Sequence, residues 1–312
     1  SAYEDWKPYF SQCSAMDELA MGKCGENAYW LIEDGTLTVY GTGDMESFYY
    51  EVDRFGPWYA HKDKFTKVII EEGITNLSDY ALARLDQITS VSLPSTLTSI
   101  AWCAFEGCAQ LEGLAIPESV KNVGAYAFDG CDKLVEVENN IGYVGTWAVC
   151  ATDQSLSSYT LRDNTTGIAG RVFYANETMT TFEFPEGVKY ISMEGVGCKN
   201  LKSITLPTTI EQIAYVAFGG CSNLSEVICM SPTPPALEYA AFWTINEDAT
   251  LRVPNASVYE SWRPWFKTII GENVIQGKCG DNLNWVIKDG TLVISGTGKM
   301  YDYYPDAPED RH

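Results

Sequence analysis

Eighteen residues, VSLPSTLTSIAWCAFEGC at 91–108, return with small changes as LAIPESVKNVGAYAFDGC at 114–131 and as ITLPTTIEQIAYVAFGGC at 204–221. Pro94 and Pro117 are 23 residues apart, as are Phe105 and Phe128, and Cys198 and Cys221, while Pro185 and Pro207 are 22 apart. Repetition at a period of about 20 to 29 residues constrains the fold more than any other property of the chain. One copy is too short to bury its own apolar side chains, so the copies must stack.

Each copy reads as a strand, a turn and a return. In Ile88–Leu93 the alternation sets Val91 and Leu93 on one face and Ser90 and Ser92 on the other. Pro94 then ends the strand by removing a ladder donor. Leu97, Ile100, Ala104 and Phe105 follow at spacings of three to four, which predicts a short helical turn on the return. Coils begin near Phe65, Ile88, Leu111, Leu134, Leu156, Met179, Leu201 and Leu224. The expected fold class is therefore α/β and β-rich: a leucine-rich-repeat solenoid of about eight coils. The coil from Leu134 lacks the proline and the A-F-x-x-C ending, and the one from Leu224 carries a widened turn, SPTPPALE.

Cys108, Cys131, Cys198 and Cys221 share one slot of the repeat, which Asn176 and Leu85 fill in other coils. A slot open to Cys, Leu and Asn faces inward, so these cysteines are expected to be reduced, buried thiols. Cys13 and Cys24 fall outside the repeats and are the pair most open to a disulfide. No C-x-x-C pair and no neighbouring histidine supports a metal site, and no cofactor is expected.

A longer repeat frames the shorter one. MGKCGENAYWLIEDGTLTVYGTGDM at 21–45 returns as QGKCGDNLNWVIKDGTLVISGTGKM at 276–300, an offset of 255, and YEDWKPYF at 3–10 echoes YESWRPWF at 259–266. Trp30, Ile32, Leu37 and Val39 around Asp34–Gly35 predict a β-hairpin, ended by Gly41-Thr-Gly43. The GTG lacks the lysine, hydroxyl and following helix of a phosphate loop. The expected organisation is a tail of a preceding unit at 1–22, a β-hairpin module and N-terminal cap at 23–64, and the solenoid at 65–253. A C-terminal cap at 254–275, a strand followed by a short helix, and the start of the next β module at 276–312 complete it. On this reading the chain is a monomeric piece of a larger, repetitive protein.

These residues resemble the BspA-like leucine-rich-repeat proteins of bacterial surfaces. The resemblance rests on L-P-x-x-L-x-x-I-x-x-x-A-F-x-x-C at 23-residue spacing over about 65–253, and the W…DGTL…GTG-x-M module is similar to one attached to such repeats. It implies a secreted or surface-attached solenoid used in adhesion or binding, with host or matrix proteins or glycans as partners. It transfers no catalytic residue.

Charge and composition narrow the function further. Forty-two acidic against 21 basic residues give a net charge of −21, which repels phosphate backbones and anionic membranes, so nucleic acid is not an expected partner. No apolar run approaches the ~18 residues of a membrane helix, and SAYEDWKPYF is no signal peptide. Only His61 and His312 exist, and His61 reads as an exposed loop residue, so histidine-based nucleophilic catalysis is not expected. The aromatic clusters Phe48, Tyr49, Tyr50 and Tyr301, Tyr303, Tyr304 read as cap packing, with sugar stacking as the alternative. Asp302, Asp306, Glu309 and Asp310 lack the order of a calcium loop.

Strand alternation directs Glu136, Glu138, Glu183 and Glu226 outward with Ser90, Ser92, Thr181, Ser203 and Thr205, on the face that neighbouring strands present together. The expected site is this acidic and hydroxyl-bearing platform, on a non-enzymatic binding module. A spacer that holds another domain away from the wall is the alternative, and a carbohydrate-active enzyme using two of the acids is the third reading.

Overall fold

The structure, a computed structural model, describes residues 20–48, 55–174, 176–271, 275–288 and 291–301. The chain forms two compact units, residues 1–152 with 169–172, and residues 153–168 with 173–312. Both are β-rich and built from the expected coils, about eight in all.

The first unit opens with β1 (Ala20–Lys23), β2 (Gly25–Glu33) and β3 (Thr36–Met45), paired antiparallel around the Asp34–Gly35 turn. Coil strands β4 (Lys67–Ile70), β5 (Ile74–Leu77), β6 (Ser90–Ser92), β7 (Ser99–Ile100) and β8 (Asn122–Val123) follow. They make two parallel ladders, β4 with β6 on one side of the coil and β5 with β7 and β8 on the other. β3 belongs to both, pairing with β4 at Thr36–Val39 and with β5 at Gly43 and Asp44. Gly41-Thr-Gly43, expected to end the strand, bends it instead, with φ of 114° and 85° at the two glycines. A Cβ on Gly41 would stand 2.1 Å from the Asn27 carbonyl oxygen, so no other residue passes there. The short 3-10 helix Pro57–Lys64 packs on this hairpin, its buried Trp58 indole donating to the Ala81 carbonyl (2.9 Å).

Regular coils turn where the sequence places proline. The amides of Leu97 and Val120 donate to the carbonyls of Pro94 and Pro117, closing a turn at each proline; β6 precedes the first, while the segment before Pro117 forms no strand. The return limb, expected to be a short helical turn, is not helical. Phe105 and Gly107 donate their amides to Ala127 and Asp129 one coil on, as Leu82 and Arg84 do to Ala104 and Glu106. Alternate amides therefore face the neighbouring coil, and Tyr80, Cys103 and Tyr126 take left-handed φ of 55°, 52° and 57°, which a right-handed helix cannot include. Spacings of three to four were produced by tight turns that return side chains to one interior.

After Leu134 the chain leaves this pattern. β9 (Glu136–Glu138), β10 (Ile141–Val144) and β11 (Trp147–Ala151) form an antiparallel meander. Asn139 and Asn140, at φ of 51° and 63°, make the two-residue reversal between the first pair.

In the second unit β12 (Gly167–Ile168), β14 (Tyr190–Ile191), β16 (Gln212–Ile213) and β18 (Ala236–Leu237) form one parallel ladder. The other holds β13 (Thr181–Glu183), β15 (Ser203–Leu206), β17 (Glu226–Cys229), β19 (Thr250–Val253) and β20 (Thr268–Gly271). Two 3-10 turns, Ala256–Val258 and Glu260–Trp262, lie between β19 and β20 and bring Tyr259, Trp262 and Phe266 into the core. β21 (Ile275–Gly280), β22 (Leu283–Lys288) and β23 (Thr291–Gly296) repeat the opening hairpin as a separate three-stranded sheet.

Inside each unit the copies stack like on like. Phe105 lies 5.2 Å from Phe128, and Phe218 lies 5.1 Å from Phe242, both face to face. The shared cysteine slot is buried, as its exchange with Leu85 predicts, and its thiols are free. It also has a polar role: Cys108, Cys131, Cys198 and Cys221 donate S–H to the carbonyls of Leu82, Phe105, Phe173 and Val196, at 2.9–3.1 Å. Asn176 occupies the slot by donating to the Leu156 carbonyl and accepting from the amides of Thr178 and Met179. Val91 is half-buried, while Leu114 and Ile204 point inward.

Candidate functional site

The nine residues expected to share one strand face are distributed over three places. Ser90 and Ser92 sit exposed on β6, opposite Lys67 and Ile69 of β4. In the second unit the expected platform exists: Thr181, Ser203 and Glu226 stand in one cross-strand row, and Glu183 and Thr205 in the next. Its charge is partly cancelled, because Arg252 donates to Glu226 at 2.7 Å. Glu136 and Glu138 are elsewhere. They lie on β9, which pairs antiparallel with β10 rather than parallel with a coil strand. The physical cause is local: with no proline to start the coil turn, the Asn139–Asn140 reversal folds the segment back on itself. That dipeptide, flanked by VEVE and IGYV, was the sequence signal for a hairpin there.

The meander creates a feature the repeat pattern could not announce. A groove of about 270 Å³ opens between the turn that ends the preceding coil and the strands β9 and β11. Val135, Val137 and Val149 supply apolar lining, Tyr126 stands at its edge, and Asp129 and Asp132 supply carboxylates. Val137 is 61% exposed, unusual for a valine between two glutamates on a short strand. Among the described residues no cation pairs with Asp129 or Asp132. Tyr126 is held in place from outside the groove, 6.0 Å from Trp102, with the Arg171 guanidinium over both rings at 4.8 Å and 6.0 Å. Cys150 also lines the groove, but desolvation raises its thiol above the usual range, so it is no activated nucleophile.

The remaining candidates resolve simply. His61 is half-buried in the 3-10 helix, 5.9 Å from the Trp30 ring, rather than exposed on a loop. Phe48 is buried edge-on against Trp58 as cap packing requires, and the Tyr301 hydroxyl meets Asp281 at 3.2 Å. Cys24 is a buried free thiol, pushed up to about 12 chiefly by desolvation, with the nearby Glu46 charge adding to it. Cys13, Tyr49, Tyr50, Asp302, Tyr303, Tyr304, Asp306, Glu309 and Asp310 lie outside the described residues. Among the described residues no group of His, Cys, Asp or Glu gathers to hold a metal ion, and no helix is long and apolar enough to cross a membrane.

Stacked coils of a strand, a proline turn and a hydrogen-bonded return define a leucine-rich-repeat protein. The chain belongs to the BspA-type leucine-rich-repeat family, whose model matches six copies over residues 58–154 and 148–249. It is similar to a leucine-rich cell surface protein of Faecalibacterium prausnitzii A2-165, at 15% identity over 83% of this chain and 96% of that one, with a TM-score of 0.39. A leucine-rich repeat protein of Eubacterium ventriosum is 18% identical over 75% of this chain and 87% of that one (TM-score 0.28). The pneumococcal vaccine antigen PcpA is 12% identical over 81% and 98% (TM-score 0.31). No curated protein matches the chain.

Proposed function

We propose that this chain is a non-enzymatic binding module of a secreted or surface-attached bacterial protein, and that it takes a protein partner through a basic segment. The observation that supports this reading is the groove beside β9: the regular array is interrupted there, and apolar surface is left beside Asp129 and Asp132, with which no cation pairs among the described residues. A lysine side chain matches that chemistry, its stem lying on Val137 and Val149 and its ammonium reaching Asp129 or Asp132. Insertions in repeat arrays commonly carry the binding function, and the net charge of −21 steers a basic partner toward the chain. The hydroxyl and acidic rows at Thr181, Glu183, Ser203 and Thr205, and the pair Ser90 and Ser92, are proposed as secondary contact surfaces.

Binding to immobilised polylysine, a neutral glucan and a set of matrix proteins tests the reading. The expected result is salt-sensitive capture by polylysine and by at least one basic matrix protein, reduced about tenfold or more in Asp129→Lys/Asp132→Lys. Equal capture by that variant and by Glu183→Lys would refute the groove as the site. The 255-residue super-repeat favours a second reading, a spacer, which predicts that the chain binds none of these probes.

A further inference from the structure

The two hairpin modules have similar sequences, the same cross-strand pairing around the turn and different surroundings. Trp30 faces Val39 and Ile32 faces Leu37 across β2 and β3; Trp285 faces Ile294 and Ile287 faces Leu292 across β22 and β23. The bend is copied too, since a Cβ on Gly296 would stand 2.0 Å from the Asn282 carbonyl oxygen, as one on Gly41 would from Asn27. In the first module this face is covered. Leu37 and Val39 are fully buried because β3 carries β4 in parallel register, Leu37 beside Val68 and Val39 beside Ile70. Trp58 closes the same face, 6.2 Å from Trp30. In the second module Leu292 is 55% and Ile294 is 44% exposed, and among the described residues β23 is the edge of its three-stranded sheet.

We infer that the 275–301 module is a docking surface for the opening coil of a second leucine-rich array. Its occupant is specified by the covered copy: a short helix bearing an indole, then a V-x-I strand added in parallel to β23, with the coil's second strand beyond the Gly296 bend. Backbone pairing along an open edge supplies affinity, and the exposed apolar side chains of Leu292 and Ile294 supply the choice of residue. The acidic groove plays no part in this, so the inference stands apart from the proposed ligand.

Amide exchange on two proteins decides it: the chain as it is, and a tandem chain in which residues 47–301 follow Tyr301. In the tandem chain the amides of Thr291–Gly296 are expected to exchange at least about tenfold more slowly than in the single chain, approaching those of Thr36–Val39. Leu292→Asp/Ile294→Asp in the tandem chain should remove that gain, while Val293→Asp, on the opposite face, should keep it. Because these residues are exposed in the single chain, the variants fold. Equal exchange in the two proteins overturns the inference. So does protection that appears in the single chain as its concentration rises, since the face would then belong to a second copy's surface.

Discussion

Residues 91–131 and residues 134–151 adjoin in the chain and differ in almost every physical respect. In the first stretch each proline closes a turn, each phenylalanine stacks on its copy and each slot cysteine donates to the coil before it. In the second there is no proline and no slot cysteine, the amides pair within the segment, and a valine is left in solvent. The difference teaches that the repeat letters do two jobs at once: they fill the interior, and they forbid the segment from pairing with itself. Where they lapse, local pairing wins and a concave surface results.

The sharpest way to break this contrast is by truncation. Phe105→Ala should cost about 3–5 kcal/mol in urea unfolding of the intact chain, whereas Val137→Ala should stay within about 0.5 kcal/mol. Similar losses would mean that the meander is as much core as the coils are. Next come the thiols. Cys221→Ala removes a buried sulfur and leaves the Val196 carbonyl with the Cys198 amide as its remaining donor, for an expected cost of about 1–2 kcal/mol, while Cys150→Ala should be nearly silent. Peptide mapping after alkylation of the folded chain should find Cys150 labelled and Cys108, Cys131, Cys198 and Cys221 protected.

Smaller effects sharpen the picture. Asn139→Ala places a Cβ residue without a local hydrogen-bonding side chain at φ of 51°, for about 1 kcal/mol, and should loosen the β9–β10 turn and weaken capture at the groove. Alkaline pH gives the smallest shift. Burial pushes the Cys221 thiol from 9.0 up to about 12, so above pH 9 the unfolded chain loses a proton that the folded chain keeps. Stability therefore falls as pH rises from about 9 to about 12, by about 1 kcal/mol at pH 9.5 for this one thiol. Thermal unfolding of Cys221→Ala should decline less steeply over that window; an identical decline would place the slot thiol in contact with water.

Much of the coil was legible because its letters report inward positions directly. Phe105, Leu97, Ile100 and the cysteine slot were all found where exchange and spacing put them. The return limb was misread because three-to-four spacing is shared by helices and by chains of tight turns. Only the left-handed residues at Tyr80, Cys103 and Tyr126 separate the two, and they leave no mark in composition. The strand face was legible in the second unit, where Thr181, Ser203 and Glu226 line up as alternation requires, though the Arg252 partner was not foreseen. Glu136 and Glu138 were assigned to that face by analogy with regular coils, and the Asn139–Asn140 turn overrides the analogy. The groove was invisible because it arises from the absence of a pattern.

The bend at Gly41 and Gly43 makes β3 a member of both ladders of the first unit. A lid hinged to only one wall could lift away while the other wall stayed shut. Here a single strand fastens both, so the end of the stack opens completely or not at all, and substitution of either glycine should convert a sharp melting step into a gradual one.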